Sequence, residues 1–112
     1  MKVKGLFWER VAAFYLLLKG YRILGFNYRT RFGEIDIICR DGETIVFVEV
    51  KYRKSERFGS AEEFVTEKKI ERIIKTARQF ISEKRLEGTF RFDVVAINGF
   101  KIKHIKNAFE GE

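Results

Sequence analysis

The spacing of hydrophobic positions divides this chain into helical and extended segments. An apolar run over residues 5–19 that stops at Gly20 predicts a mostly buried helix. Thr66 is a good N-cap for a second helix over residues 67–87, which Gly88 ends. Its apolar side chains recur at the i, i+3, i+4, i+7 spacing of one helix face, at Ile70, Ile73, Ile74, Ala77, Phe80 and Ile81.

Segments rich in β-branched and aromatic residues predict five strands. They span residues 21–28, 33–40, 43–52, 90–97 and 100–105. Asp41-Gly42 and Asn98-Gly99 are hairpin signals, residues 29–32 form a basic turn, and residues 53–65 form a polar connection. The order α-β-β-β-α-β-β predicts an α/β domain of three layers with a mixed central sheet. Without a linker-like segment, residues 1–112 are expected to form a single domain.

Three acids and a lysine interrupt the second and third strands, which are otherwise apolar: Glu34, Asp36, Glu49 and Lys51. If Arg40 pairs with Glu43 across the hairpin, Asp36 lies opposite Phe47 and Glu34 opposite Glu49. Alternation along a strand then puts all four side chains on one face, with Asp36 and Glu49 as diagonal neighbours roughly 7–8 Å apart. This prediction depends on the register, because a three-residue loop would shift the pairing of the two strands and separate the acids.

Ionised carboxylates in an apolar sheet need compensation. A shared Mg²⁺ or Mn²⁺ would supply it, since both cations prefer oxygen ligands. Lys51 on the same face would hold or deprotonate an attacking water and stabilise charge growing on a phosphate. The alternative is an ordinary Glu–Lys ion pair at the end of a strand. Three acids against one lysine favour the metal site.

The single cysteine and single histidine exclude an internal disulfide and a Cys/His zinc cluster. A hydrolase built on a nucleophile and a histidine would have to use His104, which lies in a lysine-rich strand. Cys39 is expected to be a small buried hydrophobe. The sequence thus offers carboxylates and lysines, rather than thiols or imidazoles, for chemistry.

The net charge of +7 favours a polyanionic partner such as DNA, although a basic protein with a merely hydrated surface would show the same charge. The N-terminus imitates a signal peptide, but Glu9 and Arg10 interrupt it and the apolar run is too short to span a bilayer. We therefore expect no membrane association and a cytoplasmic location. The strongly apolar segment 11–18 is more than one small core needs, which favours a homodimer.

In this order, several motifs resemble the YraN-like family of bacterial endonuclease-like proteins, within the PD-(D/E)xK nuclease superfamily and related to archaeal Holliday junction resolvases. The resemblance covers residues 1–97. Its pieces are Gly5-xxx-Glu9-xx-Ala12-xx-Tyr15-Leu16, Gly20-Tyr21-Arg22-Ile23-Leu24, Asn27-Tyr28-Arg29, Gly33-Glu34-Ile35-Asp36-Ile37-Ile38, Phe47-Val48-Glu49-Val50-Lys51-Tyr52-Arg53, Phe58-Gly59, Lys69 and Arg91-Phe92-Asp93-Val94-Val95.

The resemblance implies a restriction-endonuclease-like fold in which Asp36 and Glu49 bind the metal and Lys51 is the catalytic lysine. Glu9 matches a first-helix glutamate that faces the metal in the resolvases. Its alternative role is that of a first-turn acid favoured by the helix dipole. Glu34 is either a further ligand or a residue that orients one.

Basic residues flank the predicted site and are candidates for contacts with nucleic acid: Arg29, Arg31, Arg53, Lys54, Arg57 and Lys69. Lys69 would either bind phosphate together with the amides at the start of its helix or lie on a solvated helix face with Glu67-Glu71 pairing. Tyr28, Phe32, Tyr52 and Phe58 would either stack on unpaired bases or belong to the core. No pattern for base-specific readout is present, so shape or branching is the expected basis of recognition.

Together these observations predict a Mg²⁺- or Mn²⁺-dependent endonuclease acting on DNA, including branched, damaged or single-stranded DNA. Two alternatives stay open. One is a nucleic-acid-binding module of nuclease fold that cuts only with a partner, and the other is an interaction protein in which the acids form a structural ion-pair network.

Overall fold

The computed structural model describes residues 3–57 and 59–110. Two α-helices and five strands follow the predicted order, with a one-turn 3-10 helix between β3 and α2. The elements are α1 (Val3–Leu18), β1 (Arg22–Thr30), β2 (Gly33–Asp41), β3 (Thr44–Arg53), the 3-10 helix (Ala61–Phe64), α2 (Glu67–Lys84), β4 (Thr89–Asn98) and β5 (Lys101–Phe109). The α/β class is confirmed.

The five strands form one open mixed sheet in the order β1-β2-β3-β4-β5. All neighbours are antiparallel except β3 and β4, which are parallel. Parallel neighbours need a long crossover connection, and the segment containing the 3-10 helix and α2 supplies it. The final antiparallel strand β5 lies beside β4 at the edge, as an addition to the α-β-β-β-α-β core.

Each face of the sheet is covered by one helix, which gives three layers. Ala12, Ala13 and Leu16 of α1 pack with strand side chains that include Val46 and Val48. On the other face, Ile73 and Ala77 of α2 pack around strand residues that include Phe47, which is fully buried. Such burial on both faces explains why the central strand β3 reads as a nearly continuous apolar run interrupted only by Glu49 and Lys51.

The start of α2 is held by two local features. Thr66 accepts a hydrogen bond from the Lys69 amide at 3.2 Å, as expected of an N-cap. Gly33 lets the helix approach the sheet, because a Cβ at that position would lie 3.3 Å from the Arg72 Cβ. The predicted end at Glu87 is wrong by one turn: α2 ends at Lys84, because Arg85 adopts a left-handed conformation with φ 52°.

The predicted register of the β2–β3 hairpin is wrong, although its location is right. Asp41 pairs with Thr44 and Arg40 with Ile45, so the two-residue loop is Gly42-Glu43 rather than Asp41-Gly42. The glycine at the first loop position has φ 61°, which a primed turn requires there. Each residue of β2 therefore pairs two positions further along β3 than predicted. A shift by an even number of residues leaves each side chain opposite partners of the same face.

Strands β1 and β5 are longer than predicted. The predicted basic turn at 29–32 is shorter, because β1 continues to Thr30 and only Arg31 and Phe32 lie in the turn. Strand β5 extends to Phe109 instead of residue 105. Alternating lysines along β5 obscured its apolar positions, and its pairing with β4 is what keeps it extended.

A buried polar network fastens β4 to its neighbours. Asp93 is fully buried and accepts two hydrogen bonds from Arg91 and one from the Asn107 amide at 3.0 Å. His104 Nε2 lies 2.7 Å from the same carboxylate. Burial alone raises the pKa of Asp93, but the hydrogen bonds from His104, Arg91 and Asn107 outweigh it and hold that pKa below its ordinary value. His104 is thus part of a structural network.

Cys39 is buried, as predicted, and burial raises the pKa of its thiol to about 12. Within residues 3–57 and 59–110, no helix has the length and apolar character needed to cross a membrane.

Candidate active site

The candidate site lies where β2 and β3 separate. Their regular pairing runs from Asp41–Thr44 to Ile37–Val48. Beyond it, the Val50 amide donates a hydrogen bond of 2.8 Å to the Asp36 carboxylate. The Asp36 side chain thus serves as the hydrogen-bond partner of the β3 backbone.

The alternation of side chains along β2 is interrupted at Asp36. Ile37 belongs to the core under α1, whereas Ile35 belongs to the core under α2, although residues two apart normally share a face. The prediction that strict alternation places the four polar side chains on one face therefore fails at this position. Asp36 and Glu49 each follow directly after the last regular pair, Ile37–Val48, whereas the predicted register made them diagonal neighbours within the paired region.

Asp36 and Glu49 form a pair of like charges in a poorly hydrated place. Glu49 is only 2% exposed and Asp36 is half-buried. Burial raises the pKa of Asp36 well above its ordinary value, and the negative charge of Glu49 raises it further, while the Val50 amide opposes both effects. Two carboxylates held this way strongly favour a cation or a proton between them.

Lys69 supplies the positive charge nearest to this pair. Its Nζ lies 2.7 Å from Glu49 Oε2, reaching from the first turn of α2 across to β3. Burial alone lowers the pKa of Lys69, but the charges of Glu49, Asp36 and Glu34 outweigh it and raise that pKa. The prediction placed Lys69 among phosphate-binding residues, whereas the structure brings it into the acidic cluster itself.

The Glu49 carboxylate is almost wholly buried, and its two oxygens differ in their surroundings. Oε2 is paired with Lys69 Nζ at 2.7 Å, whereas Oε1 is buried without a hydrogen bond of acceptable geometry from any residue that the structure describes. Unsatisfied buried carboxylate oxygens are rare in folded proteins and need an explanation. A buried carboxylate with one unsatisfied oxygen, next to the charge of Asp36, suits a metal ligand.

Glu9 enters the same site from α1. It is 8% exposed, and its carboxylate accepts a hydrogen bond of 2.8 Å from the Asn27 side chain. Asn27 has φ 54°, a conformation that asparagine tolerates better than most residues. Sequence reasoning listed Asn27 only as part of a motif, and its role as the partner of Glu9 appears only in the fold.

A cavity of about 360 Å³ brings most of the predicted catalytic residues together. Glu9, Asp36, Glu49 and Lys51 all line it, and Lys69 joins them. The remaining lining residues are Gly5, Trp8, Val50 and Tyr52. Three elements, α1, the β2–β3 fork and α2, therefore contribute polar groups to one cleft.

Glu34 lies on the neighbouring side of the acidic pair. It lines a second, smaller cavity of about 190 Å³ with Asp36, Glu49, Lys69 and Arg72. Its carboxylate also forms an ion pair of 3.3 Å with Arg29. Glu34 is therefore close to the pair but shares its charge with an arginine.

The residues present fit a divalent cation through the Asp36–Glu49 pair. Among residues 3–57 and 59–110, no three acidic, histidine or cysteine side chains converge closely enough to form a ligand cluster. Mg²⁺ commonly uses only one or two protein carboxylates and completes its shell with water and substrate phosphate oxygens. A pair of carboxylates with free acceptor positions therefore suits Mg²⁺ or Mn²⁺, and Glu9 and Glu34 lie at its margins.

Among the predicted nucleic-acid contacts, Lys69 lines the cleft, and Arg29 pairs with Glu34 of the adjoining cavity. Arg29 lies near the end of β1 and Arg31 in the turn that follows, with the Arg31 guanidinium 4.9 Å from the Phe32 ring centre. Arg53 ends β3 with its guanidinium 4.3 Å from the centre of the Phe64 ring. Lys54 and Arg57 follow in the exposed connection.

The predicted aromatic residues divide into different environments. Tyr28 hydrogen-bonds to Glu83 and packs edge-on against Phe80, so it belongs to the α2 layer. Tyr52 stacks on Trp8 with ring centres 4.0 Å apart, beside the acidic cleft. Phe58 lies outside the described residues. Sequence reasoning missed Trp8, although its position next to Glu9 in the helix was a usable signal.

The fold and the cleft together define a class: a three-layer α/β protein with a buried glutamate, a half-buried aspartate and two lysines where the central strands separate. A family model described as "Uncharacterised protein family UPF0102" matches residues 8–97. The chain belongs to this family.

Similar proteins extend over nearly the whole chain. A UPF0102 protein of Sulfurihydrogenibium sp. (strain YO3AOP1) is 56% identical over 110 residues, which cover 97% of this chain and 96% of the relative. Another, of Thermodesulfovibrio yellowstonii, is 52% identical over 90% of each chain. A third, of Vibrio parahaemolyticus, is 51% identical over 90% of this chain and 87% of its own. These three relatives are therefore similar to this chain over nearly all of its length.

Proposed function

We propose that this protein is a Mg²⁺- or Mn²⁺-dependent DNA endonuclease of the PD-(D/E)xK type. The observation that carries the proposal is the Asp36–Glu49 pair: two carboxylates at one fork of the sheet, with Glu49 buried and balanced within the described residues by Lys69 on one oxygen only. When bound, a divalent cation supplies a Lewis acid for the phosphoryl group and a water nucleophile at neutral pH.

The side chains around the pair have distinct tasks in this proposal. Asp36 and Glu49 bind the cation, and the Val50 hydrogen bond fixes the orientation of Asp36. Lys51 lines the same cavity and would take or hold the proton of the attacking water and stabilise charge on the phosphate. Glu9, oriented by Asn27, would accept hydrogen bonds from water in the cleft.

DNA is the proposed substrate because the chain carries a net charge of +7 and because arginines and lysines surround an acidic centre. The preference for branched, damaged or single-stranded DNA follows from the resemblance to junction resolvases. The Trp8–Tyr52 stack beside the cleft is suited to contacts with unpaired bases. We expect the protein to act in the cytoplasm, where bacterial chromosomes lie.

The direct test is cleavage of labelled duplex, single-stranded, flap and four-way-junction DNA with Mg²⁺, Mn²⁺ or EDTA. Asp36→Asn and Glu49→Gln should abolish metal-dependent cleavage while DNA binding persists, because each removes one charge without changing shape. Glu43→Gln, an exposed acid in the same hairpin turn, is the matched control and should cleave normally. Full activity in both site variants would refute the active-site assignment.

A second candidate is a DNA-binding module that cuts only with a partner protein. The described residues favour it in one respect, since no third acid converges on the pair. It predicts salt-sensitive DNA binding without cleavage of any substrate in the panel. Cleavage by the purified chain that depends on Asp36 would exclude it.

We also propose that the protein forms a homodimer through the outer face of α1. Phe14, Leu17 and Leu18 are 64%, 52% and 72% exposed there, more apolar surface than a solvent-facing helix normally shows. Sedimentation equilibrium should find a dimer that Leu18→Glu dissociates. Phe100→Glu, at a fully exposed phenylalanine in the β4–β5 turn and away from α1, should leave the mass unchanged.

A further inference from the structure

The charge balance of the acidic cleft depends on one long and partly exposed side chain. Lys69 Nζ lies 2.7 Å from Glu49 Oε2, while the Glu49 side chain is 2% exposed and the Lys69 side chain is 44% exposed. The acid is therefore fixed inside the protein, whereas the lysine reaches it from the solvent side.

An ammonium group and a divalent cation have opposing requirements at this place. A cation on the Asp36–Glu49 pair would use the same carboxylate that Lys69 contacts, at about 2.1 Å from its ligand oxygens. Two positive centres so close repel each other strongly in a cleft with little water. Both cannot keep their positions, and Lys69 is the partner with a flexible stem and an exposed path out of the cleft.

The second cavity shows where that path leads. Lys69 lines both the catalytic cleft and the adjoining cavity, which Arg72 and Gly33 also line. Arg72 is exposed on the next turn of α2. A displaced Lys69 and Arg72 would present two positive groups to a phosphate that approaches the acidic pair.

We propose that Lys69 is an exchangeable counter-charge: it neutralises the Asp36–Glu49 pair in the absence of metal and is released to bind the DNA phosphate when a divalent cation enters. The proposal rests on the nuclease function proposed above. It makes Lys69 a positioning residue that couples metal binding to substrate binding, distinct from the role of Lys51.

The first test measures Mn²⁺ affinity of the purified protein without DNA, by titration calorimetry. Lys69→Met removes the competing charge and should tighten Mn²⁺ binding at least about tenfold relative to the wild type. Lys69→Gln keeps a hydrogen-bond donor for Glu49 but no charge, so it should behave similarly and covers the case in which the methionine variant folds poorly. Lys68→Met is the control, because it removes the same charge from an exposed neighbour, and its affinity should stay within about twofold of wild type.

The second test measures DNA affinity in EDTA and in Ca²⁺, with gel analysis to verify that the DNA stays intact. Lys69→Met should weaken binding in Ca²⁺ but not in EDTA, because only the cation releases Lys69 towards the phosphate. Any loss in Lys68→Met should be equal in the two conditions.

The outcomes separate this proposal from the nuclease proposal. Unchanged or weaker Mn²⁺ affinity in both Lys69 variants would overturn the exchange, even if the wild type cuts DNA. Tighter Mn²⁺ binding in those variants would support it even if no DNA in the panel is cut. Absence of Mn²⁺ binding in every variant would overturn the exchange and the metal site together.

Discussion

The Asp93 network provides the sharpest test of how the fold is held together. Asp93→Asn keeps the size of the side chain but removes its charge. The wild-type carboxylate receives two hydrogen bonds from Arg91, at 2.9 and 3.0 Å, and further contacts from His104 and the Asn107 amide. An asparagine has only one acceptor oxygen, and its NH₂ group would face the donor groups of Arg91, His104 or Asn107 without forming hydrogen bonds to them.

The expected loss of stability follows from the number of hydrogen bonds that the Asp93 carboxylate accepts. At least one charge-assisted hydrogen bond worth about 1.5–3 kcal/mol disappears, and the others lose their ionic partner. Breaking a buried ion pair on one side typically costs about 3–5 kcal/mol. We therefore expect Asp93→Asn to lower the free energy of unfolding by about 3–5 kcal/mol, a large part of the stability of a domain of this size.

The assay is urea unfolding at neutral pH in EDTA, followed by circular dichroism. The control is Asp41→Asn, because Asp41 pairs with the same Arg91 at 3.0 Å but has a side chain that is 38% exposed. Its loss should stay within about 1 kcal/mol. A loss for Asp93→Asn no greater than for Asp41→Asn would refute the reasoning.

The pKa of Asp93 adds a pH dependence with a definite sign. Because the folded-state pKa lies below its ordinary value of 3.8, this carboxylate stabilises the fold above that pH and loses its contribution as the pH falls through the folded-state value. The stability difference between the wild type and Asp93→Asn should therefore shrink in acid below about pH 4. A constant difference from pH 7 to pH 2 would contradict this cause.

Two further experiments test the construction of the cleft. Gly33→Ala should lower the free energy of unfolding by about 1 kcal/mol and weaken Mn²⁺ binding, because the added Cβ would lie 3.3 Å from the Arg72 Cβ. The control is Gly25→Ala, whose Cβ meets open space, and its free energy of unfolding in urea should be nearly that of the wild type. Trp8, the single tryptophan, lines the cleft. Mn²⁺ should therefore quench its fluorescence saturably in the wild type but not in Asp36→Asn. Equal quenching of both proteins would place the ion elsewhere.

Local signals predicted the elements well, since they depend on residues close in the chain. The Thr66 cap is confirmed by its hydrogen bond, and the hairpin lies where Asp41-Gly42 indicated a turn. The errors also have local causes. Gly42 occupies the first loop position rather than the second, and Arg85 adopts a left-handed conformation that ends α2 before the predicted stop at Gly88.

The sequence predicted which acidic residues lie near one another more accurately than it predicted how they are arranged. Asp36 and Glu49 do come together, but they lie just beyond the last regular pair of the two strands, and strict alternation fails at Asp36. A period-two pattern contains no information about a fork, because the fork arises where the backbones of β2 and β3 separate. The Val50 amide then takes a side-chain acceptor, which no spacing rule would have indicated.

By itself the sequence determined which residue types were available and which faces were apolar, because composition and periodicity are properties of the chain alone. It therefore predicted a three-layer α/β fold and a chemistry of carboxylates and lysines. Only the tertiary structure decided that Lys69 from α2 reaches the acids at the cleft. Its separation from them along the chain leaves no periodic signal, and its approach depends on how α2 packs on the sheet.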